Sequence, residues 1–325
     1  MRIVDLHCDT IMKFYHGQHL NDMEDCHISL QKLQKGECMA QCFAIFVPTG
    51  DSAARHGMPN DPENYLNDAY ALYLKELEAN KDTILPAYTV ADVERNYAAG
   101  KMSSILTVED GVTINGKVEN VDKYFDMGIR MVSLTWNFEN SLGYPQNPDP
   151  ALHARGLKPF GIEAVARMSE LGIAVDVSHL SEGGFWDIVK YSTKPFIASH
   201  SCCRAIGSSS RNLTDAQLKA LADKGGVCGI NYMAGFLHND PPGERNNKST
   251  IEEVVTHLKH MRNVGGVELL ALGSDYDGIR SELEWKDYSG NQLIVRALEK
   301  DFTADEIEKI CYKNALRAFR DIIGE

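Results

Sequence analysis

Eight short, apolar, β-branched runs recur along the chain, each closed by polar or glycine-rich residues and followed by sequence with a helical period. No other feature constrains the fold as strongly. The runs cover residues 3–9, 40–47, 104–109, 131–136, 174–179, 195–200, 226–231 and 268–275. Between them apolar side chains return at i, i+3, i+4 and i+7, as in Tyr70, Tyr73, Leu74 and Leu77 or in Ile251, Val254, Val255 and Leu258. This is the stripe of a helix that buries one face. Thr214 with Gln217, Ser249 with Glu252 and Thr303 with Glu306 have capping-box spacing and mark helix starts. Strands apolar almost throughout are covered on both faces, which together with helical crossovers dictates parallel pairing. Eight such units predict an α/β fold, a closed (β/α)8 barrel of the TIM type. An open doubly wound sheet usually has fewer strands and a glycine-rich first turn, and no GxGxxG follows the first run. No linker rich in Pro, Gly or Ser divides the chain, so one barrel domain over 1–325 is expected. Residues 144–159, with Pro145, Pro148, Pro150 and Pro159, and residues 237–248 read as long irregular loops at the barrel mouth.

Composition narrows the function. The formal charge of −13, with Lys and Arg scattered among more numerous acids, argues against a nucleic-acid binder, which needs a clustered basic surface. The longest apolar stretch, around residues 40–48, is far short of the ~20 residues a membrane span requires, and Asp5, His7 and Asp9 interrupt any apolar leader. A cytoplasmic protein with no membrane partner is expected. The eight cysteines include no CxxC and are expected to be buried, reduced thiols.

The chemistry lies in where the polar residues fall. Run one ends in His7 and Asp9, two apart and therefore on one face of a strand. Run three ends in Glu109, run five in His179, run six in His200 and run eight in Asp275. A histidine after an apolar run is, taken alone, more often a hydrogen-bonded structural residue, and a terminal acid is often a helix cap. Three histidines and three carboxylates at the same end of successive parallel strands are not explained that way. They suit one or two divalent ions, with zinc favoured by the imidazole content. His16, His19, His27, His56 and His238 fall in expected loops, and His257 and His260 lie three apart on a helix. All seven read as solvated or packing residues.

The ordered set DLHCDT at 5–10, VEDG at 108–111, DVSHLS at 176–181, ASHSCCRAIGSSSRNLTD at 198–215 and LGSDYDG at 272–278 resembles the membrane (renal) dipeptidase family of zinc peptidases over essentially the whole chain. The likeness is to the bacterial soluble members more than to the lipid-anchored animal ones. It implies a barrel of the metal-dependent hydrolase type. It further implies that His7 and Asp9 hold one zinc, that His179 and His200 hold a second, and that Glu109 bridges the two. Asp275 matches the family's proton-handling acid and Arg211 its substrate-binding arginine. One position departs from the pattern: SLTWNFEN at 133–140 places Trp136 where the animal members present a histidine, and leaves Asn137 and His153 as neighbouring polar groups.

The expected activity is zinc-dependent hydrolysis of dipeptides by a water activated between the ions, and the resemblance alone implies that dipeptides with a D-residue at the C-terminal position are also substrates. The partner would be a small dipeptide, with a homodimer left open. A small-amide hydrolase or deacylase on the same barrel is the alternative, since barrel mouths change substrate through their loops. A non-catalytic metal-binding barrel is a third reading, opposed by the presence of all five ligands and Asp275.

Overall fold

The computed structural model describes residues 1–241 and 243–324. Eight strands form the barrel: β1 (Ile3–Cys8), β2 (Cys38–Phe46), β3 (Met102–Glu109), β4 (Ile129–Ser133), β5 (Ala174–Asp176), β6 (Ile197–Ser201), β7 (Val227–Ile230) and β8 (Leu270–Leu272). Each pairs in parallel with the next in sequence, and Asp5 opposite Leu272 closes the ring between β1 and β8. The pairing of β2 with β3 runs without interruption from Ala40 opposite Ser103 to Phe46 opposite Glu109. That register delivers Phe46 and Glu109 to the same level of the mouth. Strand residues are buried throughout, as continuous apolar runs covered on both faces require.

The eight expected runs all contain strands, but several ladders stop early. β5 ends at Asp176 and β8 at Leu272. Beyond them His179 and Asp275 have left-handed backbones, with φ of 68° and 62°. A β-ladder cannot continue through that conformation, which costs a non-glycine residue about 1–3 kcal/mol. The ends of the expected strands are therefore turns that aim side chains inward. A further strand, Ile84–Pro86, pairs with the foot of β3. Three residues ending in proline carry too little pattern to be read as a strand from sequence. Lys248–Ser249 and Glu282–Leu283 form a separate two-stranded sheet.

Helix Pro62–Ala79 buries Tyr65, Leu66, Ala69, Tyr73 and Leu77, whereas Leu74, expected on that stripe, is 41% exposed. The capping boxes at Thr214 and Thr303 are present. The one expected at Ser249 is instead Thr250 with Glu253, because the Ser249 hydroxyl is committed to the Tyr232 carbonyl at 2.6 Å. The loop 144–159 is not wholly irregular: it contains a short helix, Pro150–His153, capped by Asp149. The loop 237–248 lies between helix Ala234–Leu237 and strand Lys248–Ser249, with Pro242 outside the described residues. All eight cysteines are buried and free. No described helix is long and apolar enough to cross a membrane.

Candidate metal centre and active site

The barrel brings all six strand-end residues to one mouth, and Glu109 stands at their centre. Its Oε2 lies 3.7 Å from His7 Nε2, and its Oε1 lies 3.0 Å from His179 Nε2 and 3.5 Å from His200 Nε2. His7 Nε2 is also 3.5 Å from Asp9 Oδ2 and 4.0 Å from Asp275 Oδ1. Candidate ligand atoms of His7, Glu109 and His200 form one convergent group, and those of His7, Asp9 and Asp275 form another. Glu109 faces His7 with Oε2 and both His179 and His200 with Oε1, and His7 and His200 share one of the convergent groups.

The hydrogen bonds fix which nitrogen faces inward. Asp176, at the end of β5, accepts the Ser199 hydroxyl at 2.6 Å, so the Ser199 oxygen receives the His200 Nδ1–H at 2.7 Å. His179 Nδ1 lies 3.4 Å from the Asn137 amide oxygen and donates to it. Both rings therefore turn an unprotonated Nε2 towards Glu109, a common arrangement for ligating histidines. The two Nε2 atoms are 3.1 Å apart. Two lone pairs at that distance, with a carboxylate oxygen beside them, repel unless a cation lies among them.

Charge and burial agree with this. Burial, followed by the cations of Arg211 and His7, holds His179 well below the usual imidazole pKa. Burial and then His7 do the same for His200. At His7 burial opposes the imidazolium, but Asp9 and Glu109 outweigh it and push the pKa up to about 10. Burial and the Asp9 charge raise Glu109 well above the carboxylate range and bring Asp275 to about 7. Three carboxylates crowded into a buried space require positive charge.

The donor set fits divalent ions. His7 Nε2 and Asp9 Oδ1 are buried with no hydrogen-bond partner among the described residues. A Cβ on Gly278 would sit 2.0 Å from Asp9 Oδ2 and 2.6 Å from Asp275 Oδ1, so glycine keeps open the space those carboxylates face. A Cβ on Gly273 would meet the Ser199 carbonyl at 1.7 Å. Only glycine allows the end of β8 to approach β6 closely enough to bring Asp275 to this mouth.

The mouth opens into a cavity of about 390 Å³, a size suited to one small ligand. Arg211 lines it and is 5% exposed. Its Nη1 donates to Ser201 Oγ at 3.0 Å and its Nη2 to the His200 carbonyl at 3.1 Å, while Nε has no partner among the described residues. The guanidinium keeps N–H groups beyond those two bonds, a donor set suited to a carboxylate. Asn231 donates to Asp275 Oδ2 at 2.9 Å, with its own amide oriented by the Met233 N–H at 2.7 Å, and leaves Asp275 Oδ1 free.

Trp136 lines the cavity within a cluster of rings, 4.8 Å from Phe46 and 6.5 Å from His56 between centroids. Asn137 also reaches the cavity. His153 does not: its Nδ1 accepts the N–H groups of Asn147 and Glu182, both at 3.3 Å, so it braces the loops. His56, set aside in the sequence as a loop residue, lines the cavity. His257 is fully buried, with its two nitrogens on the Cys203 N–H and the Leu237 carbonyl. The sequence reading missed Asp176, Ser199, Asn231 and Gly278. Asp176, Ser199 and Gly278 lie within the motifs DVSHLS, ASHSCCRAIGSSSRNLTD and LGSDYDG, and Ser199 is next to His200, but no residue type or spacing there marks them for these roles.

The family model described as membrane dipeptidase, peptidase family M19, matches residues 1–323. Dipeptidase tcpJ of Claviceps purpurea is 30% identical over 305 residues, which cover 91% of this chain and 69% of that protein. An uncharacterized protein encoded in the pqqA 5′ region of Klebsiella pneumoniae is 29% identical over 82% of this chain and 98% of its own length. Among solved structures, a metallo peptidase from Rhodobacter sphaeroides, liganded with a phosphinate mimic of the dipeptide L-Ala-D-Ala, is 25% identical, with a TM-score of 0.87 and 99% of each chain covered. A match of this extent, over a barrel whose mouth gathers three histidines and three carboxylates, has one consequence: the chain belongs to the membrane dipeptidase family, the metallo hydrolases of peptidase family M19.

Proposed function

We infer that this dipeptidase-family chain works with two zinc ions, one on His7 and Asp9, the other on His179 and His200, with Glu109 shared between them. The observation that carries the reading is the division of Glu109, with Oε2 towards His7 and Oε1 towards the facing Nε2 atoms of His179 and His200. Bound there, such ions supply Lewis acidity and acidify water at neutral pH. The substrate is a dipeptide, in keeping with the dipeptide mimic bound by the Rhodobacter sphaeroides protein. Arg211, which lines the cavity, grips its terminal carboxylate through the guanidinium, which orients the scissile carbonyl over Glu109. Asp275 receives a proton from the attacking water on Oδ1, the oxygen that Asn231 leaves free, and returns it to the departing amine. Ser199, backed by Asp176, holds the His200 ring in place throughout.

Protein purified without chelator or excess metal is expected to carry two zinc ions per chain and to hydrolyse a panel of small dipeptides, read by ninhydrin. A reproducible content of one ion or none in folded protein would overturn the binuclear assignment.

Arg211 makes a separate prediction. Amidating the substrate's C-terminus and replacing Arg211→Ala delete the same pair. Each alone should lower kcat/KM, by about 10–100-fold for a lost charge-assisted contact, and the two together should cost little more than one. The check is a two-by-two comparison of enzymes and substrates with zinc content measured in both proteins. Losses that multiply would mean that Arg211 does not bind the carboxylate, and would favour the small-amide hydrolase reading.

A further inference from the structure

On its Arg211 side the active-site cavity does not end in solid protein. A second space of about 500 Å³, a groove open to solvent, lies beside it, bordered by His153, Glu182, Trp186 and Arg204. Pro148 and Ser210 line both spaces and so stand between them.

The partition is built from the two sides of the mouth. Residues 144–146 are stitched to the chain beyond β5: the Gln146 N–H donates to the His179 carbonyl at 2.7 Å and the Ser181 N–H to the Tyr144 carbonyl at 3.0 Å. Residues 208–210, after β6, are held by the Ser208 N–H on Asn239 Oδ1 at 2.7 Å and by Arg204 Nη2 on the Ser210 carbonyl at 3.2 Å. The two halves meet where the Ser210 hydroxyl donates to Gln146 Oε1 at 2.5 Å, one residue before Arg211.

We propose that the Gln146–Ser210 contact, backed by Pro148, is a length gate that closes the carboxylate end of the site against the groove and limits the substrate to two residues. The proposal rests on the dipeptidase reading above and deepens it. A third residue moves the terminal carboxylate out by about 3.3–3.6 Å, past Arg211 and into the partition. There it would lose its guanidinium partner and collide with the Gln146 and Ser210 side chains. With the partition removed, the added residue enters the groove. Arg204 supplies no replacement clamp, since its Nη1 is paired with Glu182 at 2.9 Å and its Nη2 with His153 at 3.2 Å. Opening the gate therefore makes the site permissive without giving it a new preference.

The test compares kcat/KM for a dipeptide, for the same dipeptide extended by one C-terminal alanine, and for the same dipeptide extended at its N-terminus. The proteins are the wild type, Gln146→Ala, the double variant Gln146→Gly with Ser210→Gly, and Ser210→Thr, which keeps the hydroxyl. The ratio of C-extended to unextended substrate should rise about tenfold or more in the double variant, a scale set by steric discrimination in enzyme pockets, and less in Gln146→Ala. Ser210→Thr should leave it close to wild type. Initial products from the tripeptide should be the N-terminal amino acid and a dipeptide. If the double variant does not fold, Gln146→Ala carries the same comparison. An unmoved ratio in variants that still cleave the dipeptide overturns the gate alone. An equal gain for the N-extended substrate also overturns it, because that marks general loosening. A wild-type protein that cleaves no dipeptide overturns the peptidase reading first, and the gate with it.

Discussion

Glu109→Gln is expected to lower kcat/KM for a dipeptide on the order of 10³-fold, the scale of several kcal/mol of charge interaction at about 1.36 kcal/mol per factor of ten. The carboxylate faces His7 with one oxygen and His179 and His200 with the other. A neutral amide has a single oxygen, turns N–H donors towards one of those sets, and removes a negative charge that two cations would share. Steady-state kinetics beside substitutions at His16, His19, His238 and His260, with circular dichroism as the folding control, will measure the difference. A second readout does not depend on turnover. Burial and the Asp9 charge already hold the Glu109 carboxyl far above its usual range, so the metal-free variant should melt no lower than the metal-free wild type. Added zinc should raise its melting temperature less, because a ligand stabilises a fold in proportion to how tightly it binds. An equal rise in the two proteins, with near-normal turnover, would place the bridge elsewhere.

Asp275→Asn is expected to keep zinc and substrate binding while kcat falls by about 10²–10⁴-fold, the range for general acid–base groups. The variant's amide oxygen can still accept from Asn231, which donates to Asp275 Oδ2 at 2.9 Å, so the side chain should stay in place. What disappears is the ability of the free oxygen to take and return a proton. Metal analysis decides between this and a concrete rival. Asp275 also converges with His7 and Asp9 in a group able to hold an ion, so zinc lost together with activity would make Asp275 a ligand.

The barrel itself was legible in the residue order because its determinants are local. Apolar runs such as 40–47 report strands covered on both faces, and Thr214 with Gln217 marks a helix start within four residues. The strand ends were legible for the same reason: a two-residue period puts His7 and Asp9 on one face, and parallel strands bring Glu109, His200 and their companions to one mouth. The sequence alone therefore determined the architecture and the candidate ligand set. Tertiary structure decided everything measured across the ring. It divided Glu109 between two histidine sets, ended the ladders at Asp176 and Leu272 so that left-handed turns aim His179 and Asp275 inward, and removed His153 from the cavity while admitting His56. It also set Ser199 between Asp176 and His200, and joined Gln146 to Ser210 across 64 residues of chain. Serine, glutamine and glycine have no periodicity that marks such roles. A contact between residues far apart in the chain exists only once the barrel has closed, and no propensity of either residue alone encodes it.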